Sequence, residues 1–143
     1  MKLRKRLLSI GSAMIMAVGA FGIDANAAGY VHICSTSGGN VKYEFDNIDS
    51  TGYTSTDKFK VNTSGSHAVT YTPTSGSSTT VKFLNSAGQT KVSITIPASA
   101  PGMPSTLTSY PTFSTSIIYR MKATSSGSTN GYVTINNAYK YEY

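Results

Sequence analysis

The sequence predicts an all-β protein, an antiparallel β-sandwich of about eight short strands preceded by a helical signal peptide. Three observations carry that expectation. From Ala28 to Tyr143, 38 of 116 residues are Ser or Thr, with ten Tyr and no Trp, a composition that favours strands and turns over helices. Apolar and polar residues alternate in short runs, the period of a half-buried strand. Gly, Asn, Ser and Pro interrupt those runs at intervals of about 8–12 residues, the spacing of sandwiches and barrels. Alternation on one side only implies antiparallel sheets with one wet face each.

The first element is a leader. Lys2, Arg4, Lys5 and Arg6 precede an uncharged apolar run from Leu7 to Ile23, and Ala25-Asn26-Ala27 follows. This is the layout of a secretory signal peptide cleaved after Ala27. A membrane anchor is the alternative, but the 17-residue run sits at the lower limit of about 17–25 residues for a span. It is diluted by Gly11, Gly19 and Gly22, and no basic cluster follows it. A helix is expected over Leu3–Gly22, packing poorly on the β-domain. Residues 1–27 are thus read as signal peptide and 28–143 as a single all-β domain, large enough to bury roughly two-thirds of its unfolded surface. The expected location is secreted, and the style of the leader points to a bacterial source.

The leader also distorts the charge. The whole chain is +6, but four of twelve basic residues and one of six acidic ones precede Ala28, leaving +3. The remaining cations (Lys42, Lys58, Lys60, Lys82, Lys91, Arg120, Lys122, Lys140) are scattered along the sequence. A phosphate-tracking groove needs a concentrated patch, so no nucleic-acid partner is expected. Cys34 stands alone, which rules out an intrachain disulfide.

Along the domain, Tyr30–Cys34 and Val41–Phe45 read as a hairpin around Ser35–Asn40. Asp46–Asp57 reads as a polar loop, followed by strands at Lys58–Val61 and Ala68–Thr72. Thr80–Leu84 and Lys91–Ile96 flank the Ser86-Ala87-Gly88 turn. Four prolines mark Pro97–Thr112 as an irregular connection crossing between sheets, because proline lacks the donor a central strand needs. Strands resume at Ser114–Lys122. Tyr132–Tyr143 keeps one phase through Val133, Ile135, Asn137, Tyr139, Tyr141 and Tyr143, as one bent strand or as two strands broken at Asn136-Asn137. That phase assigns Tyr139 to the core.

No catalytic set assembles: two histidines and five carboxylates form no nucleophile elbow, zinc pair or phosphate loop. No enzyme activity and no cofactor are expected. His32 and Cys34 share a strand face, and His67 is the one residue that could join them around a metal. A closed zinc site needs four ligands, and a free cysteine more often behaves as a small buried hydrophobe. No metal is therefore expected, with Asp46, Asp49 and Asp57 as calcium candidates because calcium takes oxygen ligands from acid-lined loops. Solvated loop acids are the default for those three. Tyr53, Tyr110, Tyr132 and Tyr143, beside loops or at the terminus, are the contact candidates. Asn62-Thr63-Ser64 fits a glycosylation sequon, in a bacterial protein only a turn.

The expected function is a small secreted non-enzymatic binding or cell-surface interaction module. Its partner would be a glycan, a cell-wall polymer or a protein at a cell surface. One alternative is a secreted bacteriocin-like or membrane-active antagonist, because Ser/Thr/Lys strands with alternating apolar residues resemble membrane-inserting hairpins. Only in that case is a membrane a partner. The other is a matrix protein that self-associates through edge strands such as Val92–Ile96.

Overall fold

The computed structural model describes residues 29–75, 77–98 and 106–143. The leader with Ala27, the helix expected over Leu3–Gly22 and part of the Pro97–Thr112 connection lie outside the described residues. Those that are described form antiparallel sheets and a single 3-10 turn, so the all-β expectation holds.

Alternating sequence becomes strand wherever one set of side chains can be buried. The strands are β1 (Tyr30–Ser35), β2 (Asn40–Ile48), β3 (Tyr53–Val61), β4 (Gly65–Ser66), β5 (Val69–Ser75) and β6 (Thr79–Leu84). After them come β7 (Thr90–Ile96), β8 (Leu107–Ser109), β9 (Thr112–Phe113), β10 (Tyr119–Ser125), β11 (Thr129–Asn136) and β12 (Ala138–Tyr141). Among the described residues twelve segments thus stand where about eight were expected, because short pieces such as β4, β8 and β9 carry too few residues to show a period.

The first sheet runs β1-β2-β11-β5-β8, the second β12-β3-β10-β6-β7, and β4 pairs with β9 in a small ribbon. The inward faces of the two five-stranded sheets meet in one core. Phe59 of β3 lies at its centre, with ring centroids 5.9 Å from Tyr43, 5.6 Å from Phe83, 5.9 Å from Phe113 and 5.4 Å from Tyr119. Tyr43 comes from the first sheet and Phe113 from the ribbon, so this aromatic cluster joins all three layers. Edge-to-face contacts of this kind add about 0.5–1.5 kcal/mol each beyond the area they bury. The Tyr43 hydroxyl donates to the Asp57 carbonyl at 2.9 Å. That carbonyl lies where β3 and β10 slip register, between the Lys58–Arg120 and Thr54–Lys122 pairs.

Several expectations change. Asp46–Asp57 is not a long loop: β2 continues to the fully buried Ile48, and only residues 49–52 turn. Gly52, at φ 78°, donates to the Asp49 carbonyl and completes the turn, a conformation that costs glycine little. The Pro97–Thr112 connection does pass between sheets, from β7 to β8, but β8 lies within it and β9 begins at its last residue. Residues 114–118 are a loop, and β10 starts at Tyr119. The last stretch is two strands. Asn137 adopts φ 56°, which shifts the phase: Ala138 is buried and Tyr139 is 43% exposed, so Tyr139 is not core.

Candidate binding faces

Each large sheet turns one face to the core and one outward, and the outward faces collect the polar half of every alternating strand. On the first sheet, register places Tyr30 opposite Asp46, His32 opposite Glu44, and Glu44 opposite Tyr132. Directly opposed residues share a face, with Cβ atoms about 4.5–5.5 Å apart. The Tyr30 and His32 rings stack with centroids 4.9 Å apart and planes 13° from parallel. His32 Nε2 is 3.5 Å from Glu44 Oε1, and the Lys42 ammonium lies 4.3 Å from the centre of the Tyr132 ring.

Glu44 sets the electrostatics of this face. It is the main cause that lifts the Tyr132 hydroxyl above its usual value, with burial second. Tyr30 is also raised, by burial first and Glu44 next. Cys34 is raised in the same order, so its thiol is less of a thiolate than a free cysteine. Cys34 is also exposed, not buried, since it continues the outward phase of Tyr30 and His32, at the point where β1 slips against β2 between Ile33 and Ser35.

The second sheet's outer face has another composition. Lys58 and Lys60 of β3 alternate with the buried Phe59 and Val61. Arg120 and Lys122 alternate with Tyr119, Met121 and Ala123, and Lys82 sits between Val81 and Phe83. Register then sets Arg120 opposite Lys58, and Lys122 opposite Lys82. Five of the eight cations after the leader therefore share the part of this face formed by β3, β10 and β6, although they are scattered along the chain, and Lys91 of β7 is exposed beyond them. Tyr139 and Tyr141 border them, opposite Lys60 and Lys58. The Lys58 and Lys60 ammonium groups lie 5.8 and 5.7 Å from the Tyr141 ring centre. Lys58 also donates to the Tyr143 backbone oxygen.

The candidate calcium ligands do separate jobs. The Asp57 carboxylate accepts from the Ile33 N–H at 2.8 Å and faces Lys140 at 3.7 Å, tying the edges of the two sheets. Asp49 accepts from the Thr51 N–H at 2.9 Å inside its turn, and Asp46 stands in β2. Among the described residues, no group of three or more His, Cys, Asp or Glu is placed to hold a metal ion. His67 does not join His32 and Cys34. It is buried against Phe113, with its ring nitrogens 2.8 Å from the Asn136 carbonyl and 2.7 Å from the Thr63 carbonyl.

The four contact tyrosines differ in placement. Tyr110 is 69% and Tyr143 87% exposed, Tyr132 belongs to the Glu44 face, and Tyr53 packs partly buried against the core. A hollow of about 320 Å³ between the β6–β7 turn and the 114–118 loop is lined by uncharged residues, Ile117 and Ser86 among them. Sequence reasoning missed Tyr30, Glu44 and the clustered lysines, since only strand register brings them together.

No family model matches the chain, and no curated protein matches it. Among solved structures it is similar to one described as "Crystal structure of PirA", at 14% identity and a TM-score of 0.40. That match covers 70% of this chain and 93% of the other. Among the described residues, no helix is long and apolar enough to cross a membrane.

Proposed function

We propose that this chain is a small bacterial secreted protein, a non-enzymatic β-sandwich released after cleavage of residues 1–27. In this reading it acts outside the cell as a binding or cell-surface interaction module for a glycan, a cell-wall polymer or a protein. The observation that carries the proposal is the Glu44 face of the first sheet. There Tyr30, His32 and Tyr132 offer flat rings beside a carboxylate and an ammonium, on strands held rigid by the core. Such rings supply apolar contact area at low entropic cost, and their polar tips hydrogen-bond to hydroxyl-rich partners. Sedimentation with purified cell wall and binding to immobilised glycans test it. The Tyr30→Ala/Tyr132→Ala pair should lose most of the binding; an unchanged double variant would remove this face from the account.

Self-association is a second reading, supported by β7. It is the last strand of its sheet among the described residues, and its Val92 and Ile94 are only half buried. An exposed apolar edge strand is a template for pairing. Light scattering across a concentration series would register it, and a constant monomer mass would remove it.

A further inference from the structure

We propose that the outer face of the second sheet binds an anionic polysaccharide. The five cations lie on three adjacent strands, β3, β10 and β6, in the order β3-β10-β6. With strands about 4.8 Å apart and alternate residues about 6.8 Å apart along a strand, the five fall within a patch of molecular dimensions small enough for one polymer segment to bridge. Two of the cross-strand pairs, Lys58–Arg120 and Lys82–Lys122, set like charges directly opposite each other, an arrangement that weakens a sheet. The two ion pairs among the described residues, His32–Glu44 and Lys140–Asp57, involve none of these cations. Arg120 Nε is buried and finds no hydrogen-bond partner among the described residues. Lys58 meets the Tyr143 backbone oxygen and, with Lys60, the Tyr141 ring, but none of the five cations faces a carboxylate side chain among the described residues, so the patch can take negative charge from outside the chain.

The composition of the face selects the class of anion. Thr54 lies opposite Lys122, and the Thr80–Thr124 pair follows the Lys82–Lys122 pair along the same face, bringing hydroxyls suited to a hydroxyl-rich chain. Leu84, opposite Arg120, is the large aliphatic side chain beside the cations, and the rings that border them, Tyr139 and Tyr141, carry hydroxyls and lie at one edge, so the face has no broad apolar surface to bury in a bilayer. Four of the five cations are lysines, point charges suited to sulfate, phosphate or carboxylate groups on a flexible polymer rather than to paired recognition of a base edge. The preference for a polysaccharide over nucleic acid rests on the export reading above.

The test uses the protein as its own cell produces it, with labelled dextran sulfate as probe. Uncharged dextran, duplex DNA and phosphatidylglycerol vesicles are the comparisons. Dextran sulfate should bind and uncharged dextran should not. With about five charge contacts, affinity should fall roughly a hundredfold between about 50 and 200 mM salt. Lys82→Gln/Lys122→Gln should weaken binding about tenfold and flatten the salt slope by about two. Lys82→Glu should weaken it further while raising the unfolding midpoint, which separates lost binding from lost folding. The inference is overturned by unchanged binding in these variants, or by tighter binding to DNA or vesicles than to dextran sulfate. Tyr30→Ala/Tyr132→Ala should leave dextran sulfate binding intact. Loss in the tyrosine variant alone would refute this inference and leave the first-sheet reading standing.

Discussion

The two outer faces start from the same alternating pattern and reach opposite electrostatic states. On the first sheet one carboxylate, Glu44, is answered by His32, opposed by Tyr132, and close enough to raise Tyr30 and Cys34. That face carries carboxylates, Glu44 and Asp46, beside a single ammonium, Lys42. On the second sheet, cations oppose cations. The lesson is that period-two alternation decides which residues are wet, while register decides which wet residues meet.

The largest expected effect tests what the faces share. Phe59→Ala should cost about 3–5 kcal/mol in urea unfolding, because it empties the centre of the aromatic cluster. Binding by both faces should fade together as the protein unfolds. Separate transitions for the two sheets would break the premise of a common core.

Tyr43 comes next, since its hydroxyl links the sheets through Asp57. Tyr43→Phe should cost about 1–3 kcal/mol by leaving a buried carbonyl without its donor. Burial pushes the Tyr43 hydroxyl far above the ordinary value of 10.0. The folded state thus holds this proton more tightly than the unfolded state. The stability linked to it is complete below pH 10 and is lost as pH rises beyond that value. Wild type should therefore lose stability at alkaline pH more steeply than Tyr43→Phe, by thermal midpoints measured from pH 8 upward. Equal slopes would mean that Tyr43 does not couple the sheets in this way.

A smaller effect sharpens the first face. Glu44→Gln should cost less than about 1 kcal/mol, as exposed ion pairs do. It should also move the Tyr132 ionisation down, seen as tyrosinate absorbance appearing at lower pH. The smallest effect is a rate: Cys34 should react with iodoacetamide more slowly than free cysteine at pH 8, and faster in Glu44→Gln. No acceleration would remove Glu44 as the organiser of that face.

Much of the fold was legible in the residues. Val41, Tyr43 and Phe45 alternate with Lys42, Glu44 and Asp46, and Tyr119 and Met121 with Arg120 and Lys122. Both runs become strands with the apolar set buried. The end of the chain departs from its sequence pattern because Asn137 takes a left-handed conformation that polarity alone does not announce, and one such residue reverses every later side chain. The binding faces were less legible still. Lys82 and Lys122 are far apart in sequence, and nothing local to either says that β6 and β10 are neighbours. Proximity to loops singles out Tyr132 but not Tyr30, its companion across Glu44.

The second sheet keeps its cations in opposition at a cost to the fold. The most direct measurement is the urea midpoint of Lys82→Glu against wild type, at low and at high salt. Replacing one lysine of the Lys82–Lys122 pair with a carboxylate should stabilise the protein by about 0.2–1 kcal/mol at low salt. That gain should shrink in high salt as screening shortens the reach of the charges. A variant no more stable than wild type at low salt would contradict the claim.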